Sequence, residues 1–164
     1  MLEEIWKILV FNKNLELAHI LDLEGDFKSF HIANNNLLVN QSEKGLLYLE
    51  NDQLVAWENG DFFKEMLVVG FISLTKNQHL VFTRNEGIFN LSPSKTEPWR
   101  ANIPENIQIN TVHQLKNGNI AIGSQRNGLF VLNPEGEILL EMNKDNGLRN
   151  NSILSLFEDV SGKL

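Results

Sequence analysis

Short apolar segments alternate with polar, turn-rich segments along the whole chain. The apolar runs are bounded by Asn, Gly, Asp and Ser, which is typical of β-strands joined by tight turns. Lys116-Asn117-Gly118-Asn119 places Asn-Gly between two apolar runs, a strong hairpin signal. No window sustains helical periodicity, so the pattern predicts one helical turn at most, over Asp61 to Met66.

These segments repeat along the chain. Three strands begin with a glycine, and the glycines are 42 and 41 residues apart: Gly45-Leu46-Leu47-Tyr48-Leu49, Gly87-Ile88-Phe89-Asn90-Leu91 and Gly128-Leu129-Phe130-Val131-Leu132. A short apolar strand precedes each of them, over 37–39, 80–82 and 120–122, and a bulky apolar residue follows each, namely Trp57, Trp99 and Leu140. Four strands in roughly 40–45 residues is the period of a β-propeller blade.

The predicted fold class is all-β, a β-propeller fragment with three full four-stranded blades and a partial blade at each end. The predicted units are a partial blade 1–22, blades 23–60, 61–103 and 104–146, and the start of a next blade at 147–164. Predicted strands fall at 27–32, 37–41, 45–50 and 54–58, at 68–75, 79–83, 87–91 and 97–101, and at 109–115, 119–123, 128–133 and 137–142. Residues 8–21 supply two strands of the preceding blade, and 152–158 open the next.

Both ends keep the register of the repeat. Val10-Phe11-Asn12 matches Val131-Leu132-Asn133, and residues 151–156 match 110–115. Leu164 falls where each earlier repeat begins its second strand. Propellers usually close into a ring that removes exposed sheet edges, so we expect a piece of a larger propeller, with a strained four-bladed ring as the alternative.

Composition narrows the possible partners. The formal net charge is −7 and Lys and Arg form no run, so we expect neither nucleic acid nor an anionic membrane surface as a partner of this segment. The chain contains no cysteine, which excludes disulfides and thiolate chemistry. No segment approaches the ~20 apolar residues of a membrane helix, so no membrane insertion is expected. The acidic start Met1-Leu2-Glu3-Glu4 is unlike a signal peptide.

The stretch from Asn146-Gly147-Leu148 through Glu158-Asp159 to Leu164 resembles the two-component-regulator propeller repeat, and Gly118 to Ser124 and Gly128 to Leu132 resemble its next two strands. That repeat occurs in the sensor regions of Bacteroidetes hybrid two-component systems and in related helix-turn-helix regulators. The resemblance implies a periplasmic or extracytoplasmic location as part of a longer chain, ligand sensing, often of polysaccharide breakdown products, and signalling through a homodimer. A cytoplasmic location is expected if this is the full chain.

No constellation of catalytic residues is recognisable. The four histidines, His19, His31, His79 and His113, lack metal-ligand spacing, and the favoured reading is of hydrogen-bonded structural side chains. Glu24/Asp26 and Glu158/Asp159 lie in predicted turns and are not brought together by the pattern. We therefore expect no catalytic residue, no metal site and no cofactor.

Two sets of repeated residues remain. Gly45, Gly87 and Gly128 are predicted to have a backbone role, at a turn or at a close contact between blades. Trp57 and Trp99 are predicted to pack between blades.

Polar loops between the second and third strands recur on one propeller face and are the candidate site for a small polar ligand. The candidate ligand-binding residues are Gln41, Arg84, Asn85, Gln125, Arg126 and Asn127. Simple solvated turns are the alternative interpretation.

Three functions remain open at this stage. The first is a non-catalytic sensor or binding segment of an extracytoplasmic signal-transduction regulator, with an oligosaccharide as one candidate ligand. The second is a propeller scaffold for protein–protein contacts without a small-molecule ligand. The third, an enzyme built on a propeller, would need a convergent set of acidic residues across blades.

Overall fold

A computed structural model describes residues 5–33 and 36–164, and its regular structure is almost entirely β-sheet. An antiparallel hairpin of β1 (Ile5–Phe11) and β2 (Leu17–Glu24) is followed by three four-stranded antiparallel sheets. Blade 1 contains β3 (Phe27–Ala33), β4 (Asn36–Gln41), β5 (Gly45–Glu50) and β6 (Gln53–Ala56). Blade 2 contains β7 (Val68–Ser73), β8 (His79–Thr83), β9 (Ile88–Leu91) and β10 (Thr96–Pro98). Blade 3 contains β11 (Ile109–Gln114), β12 (Ile120–Ser124), β13 (Leu129–Leu132) and β14 (Ile138–Met142).

Each sheet is a meander in which consecutive strands pair. The all-β prediction, with three full blades and a hairpin from a preceding one, is confirmed. Each first strand carries an irregularity at the same place in its pairing with the second strand, between Phe27 and Ser29, between Val68 and Gly70, and between Ile109 and Thr111. An extra residue at such a point increases the local twist, so the three blades begin with the same bend.

The blades pack face to face, and their central strands are buried on both sides. In β8, Leu80, Val81 and Phe82 are all fully buried. Phe82 packs in a cluster with Ile122 and other residues of blade 3, whereas Val81 packs in a cluster with residues of blade 1. A strand covered on both faces is apolar at every position, which is why these segments read as continuous apolar runs.

One helical turn occurs near the predicted position. It is a short 3₁₀ helix, Gly60–Phe63, in the connection between blades 1 and 2. Phe63 is fully buried and packs edge-to-face on Phe89 of blade 2, with ring centroids 5.6 Å apart. The turn therefore fills the space between blades 1 and 2 with a buried aromatic side chain. Within residues 5–33 and 36–164, no helix has the length and apolarity needed to cross a membrane.

Residues 152–158 form no strand ladder, which differs from the predicted strand. Ile153 nevertheless donates its backbone N–H to the Ser124 carbonyl at 2.9 Å and packs against Ala121 and Leu129 of blade 3. The turn that follows, closed by the Asp159 N–H and the Lys163 carbonyl at 2.8 Å, repeats the β11–β12 turn, closed by Leu115 and Asn119. The segment thus lies beside blade 3 as a first strand would, without pairing to another strand among the described residues.

Candidate functional site

The turns between the second and third strands of the blades, residues 42–44, 84–87 and 125–128, are here named the loop face. Gly45, Gly87 and Gly128 close these turns with φ of 82°, 99° and 85°. That is the left-handed region, which residues with a Cβ enter at a cost. Each of these three positions therefore favours glycine over any residue with a Cβ.

A buried hydroxyl fixes the turn in blades 2 and 3. The Thr83 hydroxyl donates to the Gly87 carbonyl at 2.7 Å, and the Ser124 hydroxyl donates to the Gly128 carbonyl at 2.9 Å. Each hydroxyl oxygen also accepts a backbone N–H, from Glu86 at 3.1 Å and from Asn127 at 2.8 Å. Both residues are fully buried, so each turn is held to the end of its second strand by satisfied hydrogen bonds.

The structure places Gln41 at the buried end of β4, directly before the loop face and not on it. It is the last residue of β4, is 4% exposed, and donates its side-chain amide to the Glu24 carbonyl at 3.1 Å. Gln41 thus stands at the strand position that Thr83 and Ser124 occupy in the other blades. It lines a groove of about 500 Å³ between the N-terminal hairpin and blade 1, with Asp22 and Lys44 among the other lining residues.

Arg84 and Asn85 lie at the junction of blades 2 and 3. The Arg84 backbone N–H donates to the Leu67 carbonyl, and the Arg84 carbonyl accepts the Ile109 N–H, both at 2.9 Å. The Asn85 side-chain carbonyl accepts the Gln108 amide at 3.3 Å. The backbone of this turn is therefore tied to both blades, while the side chain of Asn85 is exposed.

Gln125, Arg126 and Asn127 form the equivalent turn of blade 3. The Gln125 backbone N–H donates to the Gln108 carbonyl at 2.8 Å, and its side-chain carbonyl accepts the Asn110 amide at 3.0 Å. Arg126 is exposed. Among the described residues, neither the Arg126 guanidinium nor that of Arg84 forms an ion pair. The two turns thus each carry one arginine, of which Arg84 is half-buried and Arg126 is exposed.

The five candidate residues of blades 2 and 3 are thus brought to one surface, and Gln41 is not. In blade 1 the exposed side chains of Glu43 and Lys44 occupy the corresponding turn. Lys44, Arg84 and Arg126 give each of the three turns one basic side chain. Lys and Arg side chains both bind carboxylates, and the Arg guanidinium can do so through two parallel hydrogen bonds.

A second concave region lies along the innermost strands, and the sequence patterns did not single it out. A cavity of about 340 Å³ is lined by the ends of β3, β7 and β11: Ile32, Ala33, Phe71, Ile72, Ser73, Val112, His113 and Gln114. Each of those strands is the edge strand of its sheet, so the wall of the cavity is built from three sheet edges. The cavity lies at the opposite ends of these strands from the loop face.

Two histidines serve packing. The Nε2 atom of His31 lies 3.1 Å from the Val68 carbonyl of the next blade, and burial lowers the pKa of His31 below its ordinary value. His79 is 2% exposed, lies 5.0 Å from the Trp57 ring centre, and also has its pKa lowered by burial. Within residues 5–33 and 36–164, no group of three or more His, Cys, Asp or Glu side chains could hold a metal ion.

The two repeated tryptophans lie at blade junctions. Trp57 contacts Phe71 and His79 of blade 2, with its ring centre 5.4 Å from that of Phe71. Trp99 packs against the cluster shared by blades 2 and 3.

Asp159 stabilises the turn in which it lies. The Lys163 backbone N–H and the Ser161 hydroxyl both donate to its carboxylate and lower its pKa.

No protein-family model and no curated protein matches the sequence. Solved structures resemble it more clearly. The extracellular domain of BT3049 from B. thetaiotaomicron, described as a hybrid two-component system, matches with a TM-score of 0.67 at 17% identity over 94% of this chain and 22% of that one. The extracellular domain of the one-component system BT4673 from the same organism matches with a TM-score of 0.58 at 20% identity, over 83% of this chain and 19% of that one.

A third match is PorZ, a surface component of the type-IX secretion system of Porphyromonas gingivalis. Its TM-score is 0.56 at 16% identity, covering 91% of this chain and 26% of that one. The chain spans about a fifth of the length of the two sensor domains. At these identities the likeness concerns the fold, and the chain has the bladed β-sheet fold found in the extracellular domains of Bacteroides two-component sensors.

Proposed function

We propose that the chain is a non-catalytic, ligand-sensing or binding propeller segment of an extracytoplasmic signal-transduction regulator. The fold shared with extracellular sensor domains supports this proposal. In a longer protein, a ligand that prefers one of two arrangements of a homodimer would shift their populations and so transmit the signal.

The observation that carries the proposal is the loop face. Its turns in blades 2 and 3 are fixed by the buried hydroxyls of Thr83 and Ser124, so the backbone of each turn loses little freedom when a ligand binds. Arg84 and Arg126 belong to these turns and form no ion pair among the described residues. Such a surface suits a small polar ligand with hydroxyl and carboxylate groups, and an acidic oligosaccharide is the ligand class to examine first.

The test is calorimetric titration of the chain with matched neutral and uronic-acid-containing oligosaccharides. We expect binding of the acidic members only, and at least a tenfold loss on Arg84→Ala or Arg126→Ala, which corresponds to about 1.4 kcal/mol. Lys76→Ala, an exposed basic residue in the β7–β8 turn at the opposite ends of the strands, is the matched control and should bind normally. Equal losses in all three variants would show only an effect of net charge and would contradict the proposed site.

A further inference from the structure

The junction of blades 2 and 3 carries a row of amide side chains at the loop face. Both blades have all four strands, so the junction between them is complete. Gln108 lies directly before β11, is half-buried, and donates its side-chain amide to the Asn85 side chain at 3.3 Å. Beside it, the Asn110 amide donates to the Gln125 side chain at 3.0 Å. Amides from both blades therefore meet between the two turns.

The backbone at Gln108 joins those turns. The Gln108 carbonyl accepts the Gln125 N–H at 2.8 Å, and the N–H of the next residue, Ile109, donates to the Arg84 carbonyl at 2.9 Å. Gln108 is thus held between the turn that carries Arg84 and the turn that carries Arg126. Because both bonds belong to the backbone, they do not require the Gln108 side chain.

The amides of this row keep unused hydrogen-bonding capacity. A carboxamide offers two N–H donors and a carbonyl oxygen with two lone pairs. Among the described residues, no group donates to the Oε1 atom of Gln108, and the Nδ2 atom of Asn85 donates to no acceptor. An acceptor and a donor therefore lie side by side, and a hydroxyl group can use both at once.

The turn of blade 2 is also open to a ligand. A Cβ at Gly45 or at Gly128 would lie 2.1 or 2.0 Å from a backbone carbonyl oxygen of the chain that follows the turn. A Cβ at Gly87 would meet no atom within 4 Å. The turns of blades 1 and 3 are therefore covered at this glycine, whereas a ligand can approach the turn that contains Asn85.

The side chain at the position of Gln108 differs from junction to junction. The backbone carbonyls of Asp26 and Leu67 accept an N–H from the turns of blades 1 and 2, as the Gln108 carbonyl does from the turn of blade 3. The shared backbone bond therefore tolerates a carboxylate, an apolar group or an amide. Of these three positions, only that of Gln108 places an amide between two turns that each carry an arginine.

The charges of the two turns suit a carboxylate. Residues 84–87 and 125–128 contain two arginines and one acidic residue, Glu86. The Glu86 carboxylate accepts the backbone N–H of Asn85 at 3.3 Å, within its own turn. A carboxylate held by the arginines would lie near the amide row, where a hydroxyl on the neighbouring carbon of the same sugar could reach it.

We propose that Gln108 and Asn85 are specificity-determining residues of the loop face, which bind the ring hydroxyl beside the carboxylate of an acidic sugar. This inference rests on the proposed ligand-binding function and places the site at the junction of blades 2 and 3. A site that hydrogen-bonds a hydroxyl rejects an analogue without it, because its own polar groups then lose a partner.

Calorimetric titration with two probes tests the assignment. The probes are a uronic-acid-terminated oligosaccharide and its analogue without the ring hydroxyl beside the carboxylate-bearing carbon. We expect the chain to bind the first probe roughly five- to tenfold more tightly, the effect of one net hydrogen bond. Gln108→Leu should bind both probes about equally, with an unchanged unfolding temperature, because leucine already occupies the equivalent position 67. Gln78→Leu, in the exposed β7–β8 turn, is the matched control and should keep the preference.

The outcomes separate this inference from the proposed function. If the first probe binds and Arg84→Ala weakens it, but Gln108→Leu keeps the preference for the hydroxyl, the inference is wrong and the proposed function stands. If neither probe binds, both are wrong. An equal loss of preference in Gln78→Leu would show that the effect does not arise at this junction.

A second measurement needs no substitution, in case Gln108→Leu fails to fold. Nuclear magnetic resonance of the isotope-labelled chain observes the side-chain amide groups directly. We expect the signals of Asn85 and Gln108 to move when the first probe is added, and that of Gln78 to stay in place. Movement confined to other amides would contradict the assignment.

Discussion

The side chains of Asn12 and Asn133 make the same three hydrogen bonds in turns at opposite ends of the chain. Each Oδ1 accepts two backbone N–H groups, from Asn14 and Glu16 in the first turn, at 2.8 and 3.1 Å, and from the equivalent residues in the second. Each Nδ2 donates to a glutamate carboxylate, Glu16 at 2.9 Å or Glu137 at 2.8 Å. The partial blade and blade 3 therefore share a turn as well as an apolar pattern.

This turn gives a first prediction. Asn133→Ala removes the acceptor for the Glu135 and Glu137 N–H groups, and because both are exposed, water replaces it in part. We expect the free energy of unfolding to fall by about 1 kcal/mol, measured by urea titration. Glu135→Ala, in the same turn with an exposed side chain, should change it by less than about 0.5 kcal/mol. A loss of less than about 0.5 kcal/mol in Asn133→Ala would mean that these hydrogen bonds do not stabilise the turn.

The repeated glycines give a second prediction, because their surroundings differ. A Cβ at Gly128 would lie 2.0 Å from the Met142 carbonyl oxygen, whereas a Cβ at Gly87 would meet no atom within 4 Å. Gly87→Ala should lower the free energy of unfolding by about 1–2 kcal/mol, because only the left-handed backbone conformation opposes the new Cβ. Gly128→Ala should cost roughly 1–3 kcal/mol more, because the neighbouring strand must move. Thermal unfolding of the two variants compares them directly, and similar midpoints would contradict this difference.

Asn40 provides a third prediction. It is fully buried and joins two blades: its Nδ2 donates to the Phe63 carbonyl, and its Oδ1 accepts the Val68 N–H, both at 3.2 Å. Asn40→Ala leaves the buried Val68 N–H without its partner, whereas the Phe63 carbonyl still accepts the Met66 N–H at 3.1 Å. We therefore expect the free energy of unfolding to fall by roughly 1–3 kcal/mol. Hydrogen exchange should show faster exchange of the Val68 amide. Asn77→Ala, in an exposed turn, is the control, and an unchanged Val68 exchange rate in Asn40→Ala would refute the assignment.

The buried histidines give a fourth prediction, about pH. Burial lowers the folded-state pKa of both His31 and His79 below the ordinary value of 6.5. On acidification the unfolded chain therefore takes up these protons before the folded chain does. Stability is full above about pH 6.5 and decreases as the pH falls toward the folded-state values.

Unfolding free energies measured from about pH 8 to pH 5 test this dependence. His31→Gln should flatten part of the decrease, and His19→Gln, on the exposed hairpin, is the comparison. A decrease of the same size in His31→Gln and in the original chain would assign the effect to other groups.

The fold was largely predictable from the sequence because its pairing is local. Each strand pairs with the next one along the chain, and the turns between them are specified by residues such as Gly128, whose φ is 85°. The apolar runs recur because every blade buries both of its faces, as Leu80, Val81 and Phe82 show. Period, strand order and turn positions all follow from these local rules.

The loop face was predictable in outline and not in detail. A polar residue near a glycine turn reads as a loop residue, and Gln41 satisfies that description. The strand register instead places Gln41 with Thr83 and Ser124, at the buried end of a second strand, and puts Ser42 at the position of Arg84 and Gln125. A shift of one residue reverses the direction of a side chain in a strand, and composition carries no information about that shift.

What the sequence by itself determined is the architecture within each repeat: four strands, their turns and the two apolar faces. Tertiary structure alone decided which side chains meet across repeats. The cavity between β3, β7 and β11 and the Asn40 link from blade 1 to Val68 both depend on how whole sheets are placed against one another. Local periodicity records that a face is apolar, but the identity of the surface that covers it is set by packing between segments far apart in the chain.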